Sequence, residues 1–206
     1  MLRQDLKDVY FLANRFLALP NSWLAKLRYR RRQGLKLHLG CGDDYIQGLV
    51  NIDGNFRRRA ELWLDLRNNL PFRDDSATLI YSSHMLEHLY PEQALALLRE
   101  ARRVLAPAGV FRLAVPSFEH GLEIVSGRAS SEWPRSFASP EAQAINYLFC
   151  DGQHKFAYCR EILASMCEEA GFHNVSFVDW SAEPWICQGI EIHAEPRGSL
   201  LAELRK

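Results

Sequence analysis

The stretch Leu35-Lys-Leu-His38-Leu-Gly40-Cys41-Gly42-Asp-Asp44-Tyr45-Ile-Gln-Gly48-Leu-Val-Asn-Ile-Asp53 reads as a buried strand, a glycine turn and a second strand ending in an acid. In an open α/β sheet, such a unit sets a nucleotide-like ligand across the carboxyl ends of two neighbouring strands. Glycines let the backbone approach that ligand closely, and the acid can accept hydrogen bonds from a ribose. A glycine turn alone is also the ordinary way to end a strand. Its meaning depends on the flanking chain.

Outward from this unit the pattern alternates. Short apolar runs at 36–41, 49–53, 61–66, 77–83 and 109–115 are expected strands, apolar throughout as strands buried on both faces are. Between the last two lies a helix with Pro91 in its first turn, a stripe of Leu95, Leu98, Ala101, Val104 and Leu105, and Gly109 ending the connection. A looser segment rich in Ser, Gly, Pro and aromatics spans Phe118 to about Gln153. A helix from Arg160 to Ala170 stops at Gly171, and strand-like runs follow at 174–180 and 199–205, a hairpin for one sheet edge. Strand–helix alternation predicts an α/β, doubly wound, mostly parallel sheet with helices on both faces. Before it, residues 2–18 carry apolar positions at helical spacing up to Pro20, and Ser22 is placed to cap a second short helix, 23–29. The expected organisation is an N-terminal helical extension, 1–33, and a single domain, 34–206.

Composition narrows the function classes. Basic and acidic residues number 25 each in 206, so no net field points to a nucleic-acid partner. Five cysteines without a Cys-x-x-Cys pair predict reduced thiols and a cytoplasmic setting. No apolar run has transmembrane length, and charges at Asp5, Lys7, Asp8 and Arg15 break any signal-like character. Lys26, Arg28, Arg30, Arg31 and Arg32 follow the amphipathic N-terminal helix. They read either as a solvated face with the apolar side docked on the domain, or as a peripheral membrane contact.

Several further features stand in register with the glycine turn: Asp65-Leu66 then Leu70-Pro-Phe72, Tyr81-Ser82-Ser-His84-Met-Leu-Glu87-His88, and Leu98-Arg-Glu-Ala-Arg-Arg-Val-Leu-Ala-Pro-Ala-Gly109. In this order they resemble the class I S-adenosylmethionine-dependent methyltransferases, nearest the small members with a Leu-x-Leu-Gly-Cys-Gly start, some found among glycan-modifying enzymes. The likeness is strong over 35–117 and looser beyond. It implies a Rossmann-like, seven-stranded methyltransferase sheet with an antiparallel edge strand, S-adenosyl-L-methionine as cofactor, and methyl transfer to a small-molecule or glycan-linked acceptor, at oxygen. It also implies residue roles. His38, Gly40, Cys41 and Gly42 would lie at the methionine half of the cofactor, Asp53 at the ribose, Asp65 and Leu66 at the adenine, and Ser82 with His84 near the transferable methyl. Segment 118–155 would form a lid over the acceptor. Two alternatives are a non-catalytic cofactor-binding or scaffold module and an NAD-dependent oxidoreductase; the latter would want glycine where Tyr45 stands.

The chain departs from the family pattern in three places. His38 stands where an acid is usual, Asp44 holds the third glycine position, and the connection from Gly42 to Gly48 is shorter than the dozen residues of a parallel crossover. The N-terminal helix is expected to cover the sheet face this leaves bare. His154 in Asp151-Gly-Gln-His154-Lys155 is a candidate base for a hydroxyl acceptor, the plain alternative being a surface-loop histidine without a role. His84-Met-Leu-Glu87-His88 also fits a His-x-x-Glu-His zinc pattern, which requires a distant third ligand. The resemblance accounts for the segment without it, so no metal is expected. The aromatics Phe118, Trp133, Phe137, Tyr147, Phe149, Phe156 and Tyr158 either line an acceptor pocket or form a small satellite core.

Overall fold

Leucine and isoleucine on both faces of a strand require cover on both sides, and the structure supplies it. In the computed structural model, which describes residues 20–206, β1 (Leu35–Leu39) and β4 (Ala77–Ser83) are almost wholly buried and pair in parallel at the centre of a sheet. To one side lie β2 (Val50–Asp53) and the two-residue β3 (Leu62–Trp63); to the other, β5 (Leu105–Pro116), β9 (Ser199–Arg205) and β6 (Asn174–Val178). The order is β3-β2-β1-β4-β5-β9-β6. All contacts from β3 to β5 are parallel, whereas β9 runs antiparallel to both β5 and β6. The C-terminal hairpin edge is thus present, with β6 outermost. Of the expected strand 61–66 only Leu62–Trp63 pairs, because the chain turns away to bury Leu64 and Leu66.

Helices pack on the main core. Residues 20–29 are helical (α1) and bury Ala25 and Tyr29, the Tyr29 ring meeting Phe72 edge-on at 5.5 Å. Pro20, Asn21 and Ser22 are all helical, so Ser22 lies inside this helix rather than capping it. The expected helix over residues 2–18 falls outside the described residues. Helix α2 (Pro91–Val104) buries Ala94, Leu97, Leu98, Ala101 and Val104. Its stripe is displaced from the expected one: Leu97 replaces Leu95, and Leu105 already begins β5 without an intervening loop. Helix α5 (Arg160–Glu169) adds Leu163 and Cys167.

Two parts of the architecture differ from the sequence reading. The segment after β5 is not loose: it forms α3 (Phe118–Val125) and α4 (Pro140–Phe149). Ser117 and Ser139 accept the backbone N–H groups of His120 and Ala142 as caps, and Pro140 occupies the first turn. Their facing residues Ile124, Ala144, Tyr147 and Leu148 make a small core of their own. The second difference concerns the short 42–48 connection, which holds no helix. The sheet face it leaves is covered by a small hairpin, β7 (Trp185–Cys187) and β8 (Ile190–Ile192). Ile192 joins Ile46, Leu49, Leu79, Tyr81 and Val110 in a second core, with Trp185 and Ile190 packed against it. Lys36 Nζ donates to the Gln188 carbonyl at 2.6 Å and Gln188 Nε2 to the Thr78 carbonyl at 2.9 Å, fixing the hairpin to β1 and β4. Among the described residues no helix is long and apolar enough to cross a membrane.

Candidate active site

The glycine turn sits at the carboxyl end of β1. Gly40 has φ +74°, and a Cβ there would stand 2.1 Å from Met85 Cγ, so close approach of the β4 turn demands glycine. Gly42, at φ +54°, differs: a Cβ there would project into open space. Its N–H donates to Asp53 Oδ2 at 2.8 Å, and the Asn55 N–H donates to Oδ1 at 2.7 Å. Two backbone donors therefore orient the Asp53 carboxylate at the strand tip, and each oxygen keeps a lone pair for a ribose hydroxyl. This open, left-handed glycine beside an anchored acid is a cradle that fits S-adenosylmethionine.

Supporting side chains lie beneath it. His38 is 1% exposed; its Nδ1 lies 3.1 Å from Asn51 Oδ1 and its ring 4.9 Å from that of Tyr81. Burial, opposed by the Asn51 hydrogen bond, lowers its pKa to about 4, so the ring is neutral. β-Strand alternation turns His38, expected at the cofactor, under the turn and toward the face covered by the hairpin. Asn51 is the hub there. Its Oδ1 accepts from the Ile46 N–H at 3.0 Å, and its Nδ2 donates to the Ile46 carbonyl at 2.9 Å and to Glu61 Oε2 at 3.1 Å. Glu61 also accepts from the Tyr45 hydroxyl. Arg59 lies 3.9 Å over the Tyr45 ring, and Arg58 pairs with Asp43. The short connection is held by polar contacts where a helix would otherwise do the work.

The remaining expected cofactor residues divide. Cys41 is buried, its Sγ 3.9 Å and 3.8 Å from the Gly42 and Arg59 carbonyls, and burial with the nearby Asp53 raises its thiol pKa to about 12. Ser82 is fully buried and donates to the Leu39 carbonyl at 3.0 Å, tying β4 to β1. In both, the side chain is engaged with backbone carbonyls within the fold. Leu66 is in the main core, which leaves only its backbone for an adenine ring. Asp65 follows β3 and accepts Arg67 Nε and Nη2 at 2.8 and 2.9 Å, a fork that fixes its orientation.

At the tip of β4 the chain turns sharply. His84 has φ +48°, a conformation that costs on the order of 1 kcal/mol for a residue with a Cβ. Its Nε2 is 2.8 Å from Ser199 Oγ and its Nδ1 3.5 Å from Glu87 Oε1. Burial alone would lower the His84 pKa; the Glu87 carboxylate outweighs it and the pKa rises. Glu87, in the short 3-10 turn Leu86–His88, is 1% exposed. Its other imidazole neighbour is His154, whose Nε2 lies 3.8 Å from Oε1. His154 is buried rather than on a surface loop, with Nδ1 2.7 Å from the Leu148 carbonyl, and burial lowers its pKa. Thus His84 and His154, 70 residues apart in sequence, meet around one carboxylate. Beside them Glu195, also buried, accepts from the hydroxyls of Tyr81 and Ser83, each at 2.6 Å. Sequence reasoning passed over Asn51, Glu61 and Glu195; Glu87 was visible only as part of the zinc-like pattern. The signal for Glu87 was an acid in a turn between two apolar elements.

A fold of this strand order with this cradle is that of the class I methyltransferases. Residues 41–113 match a family model described as a methyltransferase domain. Solved structures with the same fold include a SAM-dependent methyltransferase from Archaeoglobus fulgidus, 16% identical, TM-score 0.54, covering 90% of this chain and 94% of that one. Another is a possible histamine N-methyltransferase from Thermotoga maritima, 18% identical, TM-score 0.51, covering 98% and 95%. A third, from Mesorhizobium loti, is 15% identical with TM-score 0.50, covering 90% and 98%. No curated protein matches the chain. Residues 41–113 are thus similar to a methyltransferase domain, whose cofactor would be S-adenosyl-L-methionine, and the whole chain shares the fold of solved SAM-dependent methyltransferases. The oxidoreductase alternative fits poorly: an antiparallel β9 between β5 and β6 is not the 3-2-1-4-5-6 parallel order of dinucleotide-binding sheets.

Proposed function

We propose that the enzyme methylates an oxygen nucleophile on a small or glycan-linked acceptor. The observation that supports this reading is His84, half-buried at the tip of β4, with the Glu87 carboxylate behind it. A sulfonium methyl is already activated, so the protein's task is in-line placement of the nucleophile. A hydroxyl must also lose its proton as the new O–CH3 bond forms, and a group within hydrogen-bond reach of the acceptor has to receive it. His84 is the more exposed histidine of the two and takes that proton at Nε2, exchanging its Ser199 contact for the acceptor hydroxyl; His154 is enclosed and supports from behind. Gly40, Gly42, Asp53, Asp65 and the Leu66 backbone hold the cofactor. The exposed aromatics Phe118, Trp133 and Phe149, on and between α3 and α4, offer flat faces to a sugar ring, and the 118–155 segment serves as the acceptor-side cover. That the five cysteines form no disulfide among the described residues supports a reducing, cytoplasmic compartment.

The test is S-adenosylhomocysteine release over a panel of hydroxylated sugars, glycosides and small alcohols, with amines as controls. Turnover confined to hydroxyl acceptors is expected. His84→Gln should lower kcat by about 100-fold or more while leaving S-adenosylhomocysteine affinity unchanged. Transfer to amines alone, or a His84→Gln enzyme with wild-type kcat, overturns the reading.

A further inference from the structure

We propose that Glu87, His88 and His154 form a binding site for a single divalent transition-metal ion of the zinc class, at the junction between the turn after β4 and the segment after α4. One ligand atom from each residue lies within 4.8 Å of the others. An ion held tetrahedrally at about 2.1 Å from each donor needs them roughly 3.4 Å apart. His88 is exposed, so a shift of its ring makes the remaining adjustment.

The hydrogen bonding around the cluster is that of waiting ligands. His88 Nδ1 lies 3.3 Å from the Gln153 carbonyl and His154 Nδ1 2.7 Å from the Leu148 carbonyl. A carbonyl only accepts, so both Nδ1 atoms carry hydrogen and both Nε2 atoms keep a lone pair. Metal-bound histidines are oriented in the same way, by a backbone carbonyl on the other ring nitrogen.

An independent observation is Glu87. Its carboxylate is 1% exposed, and neither oxygen has a hydrogen-bond partner. A buried carboxylate without donors is costly, and a cation among the neighbouring imidazoles would compensate it. Two imidazoles and one carboxylate suit zinc with a fourth position for water, and suit magnesium or calcium poorly. His84, 3.5 Å from the same carboxylate, is placed as the outer group that steadies it.

The position gives such an ion a purpose. The N–H groups of Lys155 and Phe156 donate to the Glu87 carbonyl at 2.7 and 3.3 Å, so the acceptor-side segment is already laced to the β4 turn here. A metal would close that lacing. The site stands on these residues whichever acceptor the enzyme uses.

The experiment is titration of the chelator-treated full-length protein with zinc chloride, read by calorimetry and native mass spectrometry, with cobalt(II) absorption reporting coordination. One zinc per chain is expected, with a rise in melting temperature and a tetrahedral cobalt spectrum. His88→Ala, at an exposed position, should weaken zinc on the order of 10-fold or more and leave the circular dichroism and S-adenosylhomocysteine binding unchanged. Glu87→Gln should weaken it likewise. No zinc binding to the wild type overturns the proposal, as does equal affinity in the wild type and His88→Ala.

Discussion

Replacing His38 by asparagine should remove a specific part of the acid sensitivity of this fold. In the unfolded chain the ring titrates at its ordinary 6.5; in the folded protein burial, opposed by a weaker hydrogen-bond effect from Asn51, brings it to about 4. A histidine with a lowered native pKa favours folding least when protons are abundant. The unfolded chain takes up the proton first, so stability is intact above pH 6.5 and falls as the pH drops toward 4. At pH 4.5 the unfolded ring is almost fully protonated and the native ring mostly neutral, a loss on the order of 2–3 kcal/mol relative to pH 7.5. Asparagine retains an N–H near the Nδ1 position to reach Asn51 but has no proton to gain. Its absolute stability at pH 7.5 will be lower, because the ring contact with Tyr81 is lost. The informative quantity is therefore the change between the two pH values. Urea unfolding followed by fluorescence of the five tryptophans gives it directly. The wild type should lose on the order of 2–3 kcal/mol more than His38→Asn between pH 7.5 and 4.5. Equal losses would refute the buried, neutral histidine.

Two other substitutions separate the cradle from its supports. Gly42→Ala places a methyl group in open space at φ +54°, so it should cost about 1–2 kcal/mol of stability by chemical denaturation yet weaken S-adenosylhomocysteine by about 10-fold or more in calorimetry; unchanged affinity would remove Gly42 from the cofactor surface. Ile192→Ala empties a position 1% exposed in the hairpin core and should cost about 2–5 kcal/mol, whereas a loss below about 1 kcal/mol would mean that the hairpin does not seal the sheet.

Much of this molecule is legible in local sequence. The apolar runs of β1, β4 and β5, the Pro91 start of α2 and the Gly171 stop of α5 are short-range signals, and the structure follows them closely. Gly40, Gly42 and Asp53 are legible too, since a turn between two parallel strands leaves few places for them. What local pattern misses is the partner across the fold. His38 resembles a site residue because of its place in the motif, and only the pairing of β1 with β2 shows that it faces Asn51. The serine caps of α3 and α4 are short-range signals, overlooked beneath a loop-like composition. Glu87 and His154 lie 67 residues apart, and no periodicity connects them.

The hairpin that replaces a crossover helix has a consequence for the order in which the molecule can be completed. In a sheet with a helix between its first two strands, the cover over that face is made as soon as the helix follows the strand. Here Leu79, Tyr81 and Val110 await Ile190 and Ile192, and the Lys36 ammonium reaches a carbonyl 152 residues further along. Such distant closure is slow, because the loop entropy is lost before the contact rewards it. A nascent chain that has delivered the glycine turn, Asp53 and His84 still presents a bare apolar face until residues 185–192 emerge from the ribosome. The cradle is encoded early, and it becomes solid only after residues 185–192 have followed it.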